Sequence, residues 1–300
     1  MRVMDAGHPA RGPADEMRSS LAGPTVVRML LGGRLRQLRE ASGMTRADAG
    51  WAIRGSDAKI SRLETGRSSF KRRDVADLLT LYGVRDHRER DGLFVLVDQA
   101  NAPGWRQDYG DLLSSSAGTR LELEQCASVI RCYDAQFVPD LLQTTDYARA
   151  LLGLHHPGAQ PSEIERRIEL LMKRQEALRG PQPCRLWAVV DEAALRRQPG
   201  NATALRRQLE RLIEISELPH IKIQVIPFTT CVAVGGAVTF LRFAESGVAD
   251  VVYLDQFTGA LYLDKPADVQ HYGQVMDKLC TRAERPAVTP AFLHRLSKEI

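Results

Sequence analysis

In the first hundred residues apolar side chains recur every three or four positions, the period of helices with one buried face. Leu31, Leu35 and Leu38 share such a face and predict a helix from Pro24 to about Ala41. Thr45 offers the hydroxyl of a good N-cap for a second, short helix running to Ile53. Arg54-Gly55 then interrupts the pattern, glycine being able to supply a left-handed or crowded backbone. Ser56 caps a third helix with Ile60 and Leu63 inward and Asp57, Ala58, Lys59, Ser61 and Arg62 outward, and Thr65-Gly66 stops it. Val75, Leu78, Leu79 and Tyr82 mark a fourth helix ended by Gly83, and Leu93, Leu96 and Val97 a fifth over about Asp86–Ala100. Two short helices around a tight turn, the second polar on its outer side, read as a helix-turn-helix. The expectation is an all-α, five-helix DNA-binding domain over residues 24–101, preceded at 1–23 by a disordered tail rich in Pro, Gly and Ala.

Beyond Ala102-Pro103-Gly104, which reads as a joint, the pattern changes. Helical spacing predicts helices at about Arg120–Tyr133, Pro139–Leu152, Pro161–Leu178 and Ala202–Glu217. Strand-like runs occupy Arg185–Val190, Ile221–Phe228, Val238–Phe243, Val251–Leu254 and Ala260–Leu263, and a last helix spans about Pro266–Arg282. Several connections between strands are too short for a helical crossover. Residues 105–300 are therefore expected to form an α+β domain with a mixed, largely antiparallel sheet.

Charge sharpens this division. The net charge is only +4, yet Arg28 to Arg73 hold twelve Lys/Arg against four acids, a local balance of +8 that leaves −4 for the rest. A basic stretch that coincides with a helix-turn-helix is the footprint expected of a polyanion-binding surface. No apolar run approaches the ~18 residues of a membrane span. The N-terminus lacks an apolar signal segment, and five scattered cysteines without a CxxC suit reduced thiols. A cytoplasmic protein without membrane contact is expected.

The residues Leu35-Arg36-Gln37-Leu38-Arg39-Glu40, Gly43-Met44-Thr45 and Lys59-Ile60-Ser61-Arg62-Leu63-Glu64-Thr65-Gly66 resemble the Cro/repressor type of helix-turn-helix, the lambda-repressor-like XRE family. The resemblance implies that the second helix of the motif enters the major groove, with base edges read from its first turn and outward face. Carried over residue by residue, Asp57, Ala58 and Arg62 are the base-contact candidates: a carboxylate for cytosine N4, a methyl for thymine, a guanidinium fork for guanine. Asp57 serves equally well as a first-turn helix stabiliser. Arg46, Lys59, Ser61, Arg67, Lys71, Arg72 and Arg73 are backbone-contact candidates. Glu64 with Arg39 is implied to be a structural ion pair. Farther on, Tyr133 to Arg149 (YDAQFVPDLLQTTDYAR), Arg174-Gln175-Glu176, Leu186 to Leu195 and Val251-Val252-Tyr253-Leu254 resemble the C-terminal domain of actinobacterial, antitoxin-like regulators. Together the resemblance covers about Met29 to Lys278. Asp140 departs from the glycine usual there, and Asp tolerates a left-handed backbone less readily. What the resemblance implies is a homodimer on double-stranded DNA, joined by a small partner protein encoded nearby.

Chemistry of other kinds finds little support. His155-His156-Pro157 reads as a surface loop, and Asp191-Glu192 as the capped start of a helix rather than an acid–base pair. Cys126 and Cys132 lie ~600° apart around a helix, so they do not share a face as metal ligands must. Gly235-Gly236 lacks the strand–GxGxxG–helix setting of a dinucleotide site. No catalytic constellation, metal or cofactor is expected. Two alternatives stay open for the second domain: a small-molecule sensor with a pocket lined by Trp187, Tyr253 and Tyr262, or an enzyme tethered to DNA.

Overall fold

The computed structural model describes residues 24–102, 109–113, 115–180, 182–244, 248–256 and 259–300. The tail expected at 1–23 and the joint at Pro103-Gly104 lie outside them. Backbone proximity divides the chain into two units, Met1–Ala102 and Pro103–Ile300.

In the first unit the described residues form α1 (Pro24–Ala41), α2 (Arg46–Ala52), α3 (Asp57–Glu64), α4 (Arg72–Leu81) and α5 (His87–Ala100). Their inward residues make one core around Leu31, Leu35, Ile60, Leu63, Val75 and Leu79. The start of α2 is closed by a capping box: the Asp48 amide donates to Thr45 Oγ1, and the Thr45 amide to Asp48 Oδ2 at 3.0 Å. Ser56 caps α3 through the Lys59 amide. In the turn between them it is Arg54, not Gly55, that takes the left-handed backbone, at φ 51°. Gly55 leaves room for the Lys59 stem, whose Cδ would lie 2.7 Å from a Cβ there.

Helix α1 meets α3 backbone to backbone. A Cβ on Gly32 would collide with the carbonyl of Leu63 and sit 2.7 Å from that of Glu64. Just past α3, Gly66 has φ +68°, and a side chain there would meet the Met29 amide at 2.8 Å. Two glycines thus set how closely the helix-turn-helix seats on α1.

The second unit runs α6 (Ser115–Cys126), β1 (Val129–Asp134), α7 (Thr145–His155), α8 (Pro161–Arg174), β2 (Arg185–Asp191), α9 (Glu192–Arg196), α10 (Ala202–Ser216) and β3 (Ile221–Ile226). It continues through β4 (Val238–Arg242), β5 (Val251–Gln256), β6 (Gly259–Leu263), α11 (Pro266–Arg282) and α12 (Thr289–Glu299). The six strands form one mixed sheet in the order β3-β2-β1-β4-β5-β6. β1 pairs in parallel with β2, and β2 with β3; the pairs β1–β4, β4–β5 and β5–β6 are antiparallel. One face, with Tyr133, Val189, Phe240 and Val252, packs on Met276 and Leu279 of α11.

Three features depart from the periodicity reading. The helix expected over Arg120–Tyr133 ends at Cys126, and Val129–Asp134 form the central strand. Val129, Ile130, Cys132 and Tyr133 are β-branched, aromatic or small apolar residues, and the slot between β2 and β4 buries Ile130 and Cys132 on one face and Tyr133 on the other. The helix expected over Pro139–Leu152 is cut in two. A 3-10 turn covers Asp140–Leu142, Gln143 is extended at ψ 143°, and Thr144 caps α7 afresh through the Tyr147 amide. Helix α12 is an addition, anchored by Thr289 Oγ1 donating to the Ile223 carbonyl of β3 at 2.7 Å.

Gly32→Ala should destabilise the first unit by ~1–3 kcal/mol, as overpacking does, and displace α3. Urea unfolding of the full chain reads the loss directly. An unchanged midpoint would show that the helices part without cost.

Candidate nucleic-acid interface

On α3 the inward residues Ile60 and Leu63 are buried, while Asp57, Ala58 and Arg62 are exposed. Its end is held by a buried, two-pronged ion pair. Arg39 Nε donates to Glu64 Oε1 at 2.5 Å and Nη2 to Oε2 at 3.2 Å, with side-chain exposures of 10% and 6%. A third donor, Arg39 Nη1, reaches the Met44 carbonyl at 2.8 Å, just before α2. One guanidinium therefore joins α1, the approach to α2 and the last turn of α3. Tyr82 is buried in the same core. Burial, with Glu64 adding to it, pushes its phenol up to about 12.

The outward cations fall into two groups. Some are engaged within the fold. Arg46 lies 3.4 Å from Asp57 and donates to Ser61 Oγ, so it bridges α2 and α3. Lys59 pairs with Asp74 of α4 at 2.6 Å. Arg72 pairs with Asp98 at 3.1 Å and lies over the Phe94 ring at 4.4 Å. Arg62, Lys71 and Arg73 are exposed and make no ion pair among the described residues. Arg67 is exposed beside them. The result is an α3 whose inner side is fixed by apolar packing and Arg39–Glu64, and whose outer side offers one carboxylate, one methyl and one uncommitted guanidinium.

In the second unit the three aromatic residues of the expected pocket do not converge. Cross-strand partners share a face of a sheet. Trp187 pairs with Arg131, Arg131 with Phe240 and Phe240 with Val252, which puts Trp187 on the α11 face. Tyr253 follows Val252 and so points to the opposite face, together with its partner Tyr262. Tyr253 and Tyr262 contact edge to face with centroids 5.0 Å apart. Trp187 is stacked between Arg131 and Lys222 and donates from Nε1 to Gln224 Oε1 at 2.7 Å.

Above Tyr253 lies a charge network. Arg120 of α6 covers that ring at 4.8 Å and pairs with Glu124 at 2.7 Å, Asp255 at 3.0 Å and Asp140 at 3.4 Å. Arg174 of α8 reaches Glu124 and Asp140, each at 3.0 Å. Burial alone would raise the Asp140 carboxyl, but Arg174 and Arg120 outweigh it and hold it below the ordinary range. Asp134, on the same recess of about 50 Å³, is raised by burial even though the Gln136 and Phe137 amides donate to it. Asp191 caps α9 by accepting from the Ala193 amide at 2.9 Å. Among the described residues no group of His, Cys, Asp and Glu is arranged to hold a metal.

Residues 118–295 match the family described as "Domain of unknown function (DUF5753)", more than half of the chain. The chain belongs to the DUF5753 family. Residues 30–93 match a helix-turn-helix domain, which marks the first unit as that of a DNA-binding regulator. Neither the curated proteins nor the solved structures contain a match. Arg120, Glu124, Asp140, Arg174 and Asp255 all fall within the DUF5753 match. This network is not legible in the sequence, because only Arg120 and Glu124 stand at helical i,i+4 spacing. The other three arrive from a 3-10 turn, a second helix and a strand. No helix among the described residues is long and apolar enough to cross a membrane.

The Tyr82 phenol sets an alkaline limit on the helix-turn-helix unit. Its folded value stands above the ~10 of an unfolded tyrosine, so the folded state keeps a proton that the unfolded state releases. That unit should lose stability as pH rises from about 10 to about 12, by up to ~2–3 kcal/mol. Tyr82→Phe should flatten the decline in urea midpoints. Equal slopes for variant and wild type would clear Tyr82 of the effect.

Proposed function

We propose that this DUF5753 protein is a cytoplasmic, sequence-specific transcriptional regulator that binds double-stranded DNA as a homodimer. In this reading its second unit supplies the dimer contact and docks a small partner protein, in the manner of antitoxin-like regulators. The observation that carries the DNA-binding part is the uncommitted Arg62 guanidinium on the exposed face of α3, beside Asp57 and Ala58. With α3 in the major groove, Arg62 forks onto guanine O6 and N7, Ala58 meets a thymine methyl, and Asp57 accepts from cytosine N4. Arg46, close to both Asp57 and Ser61, offsets the carboxylate where phosphates come near. Lys71, Arg73 and Arg67 follow the phosphate backbone, with Ser61 adding a hydroxyl. Lys59 and Arg72, tied to Asp74 and Asp98, contribute mainly to the positive field. A dimer places two such helices on half-sites ~34 Å apart, one turn of DNA, and gains affinity through effective concentration.

Arg62→Ala should weaken operator binding by ~1–3 kcal/mol and relax preference at one base position while sparing non-specific binding. Selection from random DNA tests it, and an unchanged site logo would remove Arg62 from the base readers.

Phosphate contacts give a different result. Lys71→Ala or Arg73→Ala should weaken binding to every sequence and lower the salt slope by ~1 per lost contact. Arg72→Ala should change it less. If Arg72 rather than Arg73 moved the slope, the assignment of engaged and uncommitted cations would be reversed.

A further inference from the structure

On the Asp140–Leu142 turn, which also carries Asp140 of the charge network, the second unit has a mainly apolar cleft of about 70 Å³. Its floor and walls are Leu141, Leu142, Leu178, Ile215, Leu218 and Ile221, and Gln175, Arg179 and Arg211 complete the lining. The floor is rigid because two buried glutamines hold the 3-10 turn beneath it. Gln175 Nε2 donates to the carbonyls of Gln143 at 2.7 Å and Asp140 at 3.2 Å. Gln208 donates to the Leu142 carbonyl at 2.8 Å and accepts from the Thr144 amide at 2.7 Å. The opposite wall is pinned by His220 Nε2, 3.0 Å from the Leu178 carbonyl. The cleft is preformed, and Leu218 at its mouth is 40% exposed.

Its chemistry is amphipathic. Arg179 is exposed and has no ion pair among the described residues. Arg211 pairs with Glu214 at 3.2 Å, and that carboxylate is 68% exposed, so water holds it nearly as well as the guanidinium does. An aliphatic hollow with two arginines in its lining matches an apolar group that ends in an anion. Size limits the group. A dry cavity on the order of 150 Å³ takes benzene, so this one seats a branched chain of roughly three or four carbons.

We infer that the cleft binds a short branched aliphatic carboxylate, alkyl group inward and carboxylate between Arg179 and Arg211. A free branched acid and the C-terminal leucine of a peptide share that chemistry. The inference does not rest on DNA binding, and its test uses the full chain without DNA. Isoleucine methyl spectra report on Ile215 and Ile221 during titration with 3-methylbutanoate. Saturable shifts confined to these residues are expected. 3-Methylbutan-1-ol, which lacks the charge, should bind ~10-fold more weakly, as should the Arg179→Ala/Arg211→Ala variant toward the acid. Both substitutions lie at the border of the cleft and leave its floor intact. N-acetyl-leucine distinguishes the sources: tighter binding than the free acid points to a chain terminus, weaker binding to a metabolite. Absence of saturable shifts, or equal binding by the alcohol or by the double variant, would overturn the inference.

Discussion

The Arg39–Glu64 pair is the constraint on which the helix-turn-helix depends. Both side chains are nearly dry, and three of the guanidinium's hydrogen bonds leave in three directions: to Glu64, to the Met44 carbonyl and to Glu40. Buried ion pairs are weak sources of net stability, because desolvation offsets much of their attraction. Their force is one of specification. Removing either partner leaves an uncompensated buried charge at a cost of ~3–5 kcal/mol, which disfavours packings of α1 against α3 that separate the two. Tyr82 in the same core adds a group that must stay neutral.

The DUF5753 domain solves a similar problem on a larger scale. Its sheet is parallel on one side of β1 and antiparallel on the other, so β1 is flanked differently along its two edges. The face under α11 is filled by apolar side chains. The other face carries the Arg120 network, in which two guanidiniums and three carboxylates connect α6, α8, the Asp140 turn and β5. Long-range tethers of this kind join elements that adjacent strands do not. Asp140 fits this account: its backbone lies in the 3-10 turn and has no positive φ, and its carboxylate meets both arginines.

The helix-turn-helix was legible because local signals agreed there. Caps, glycine stops and a 3.6-residue period all point to the same boundaries, and the fold follows them at Thr45, Ser56 and Gly66. The second unit was less legible where tertiary context decides. Ala127–Tyr133 has the apolar density of a helix, and only its neighbours β2 and β4 make it a strand. Trp187 and Tyr253 look equivalent along the chain, yet one residue of register separates the two faces of the sheet. Arg54 gave no hint of its left-handed backbone, since the adjacent glycine carries that expectation. Whether Lys59 and Arg72 are free or engaged was illegible too. Their partners Asp74 and Asp98 lie on other helices.

The contact at Gly32 has a consequence for how such a protein diversifies. Because α1 and the end of α3 meet through backbone atoms at Gly32, that point leaves no room for any side chain between the two helices. Sequence variation in this unit is therefore freest at outward positions of α3 such as 57, 58 and 62, which take no part in the contact.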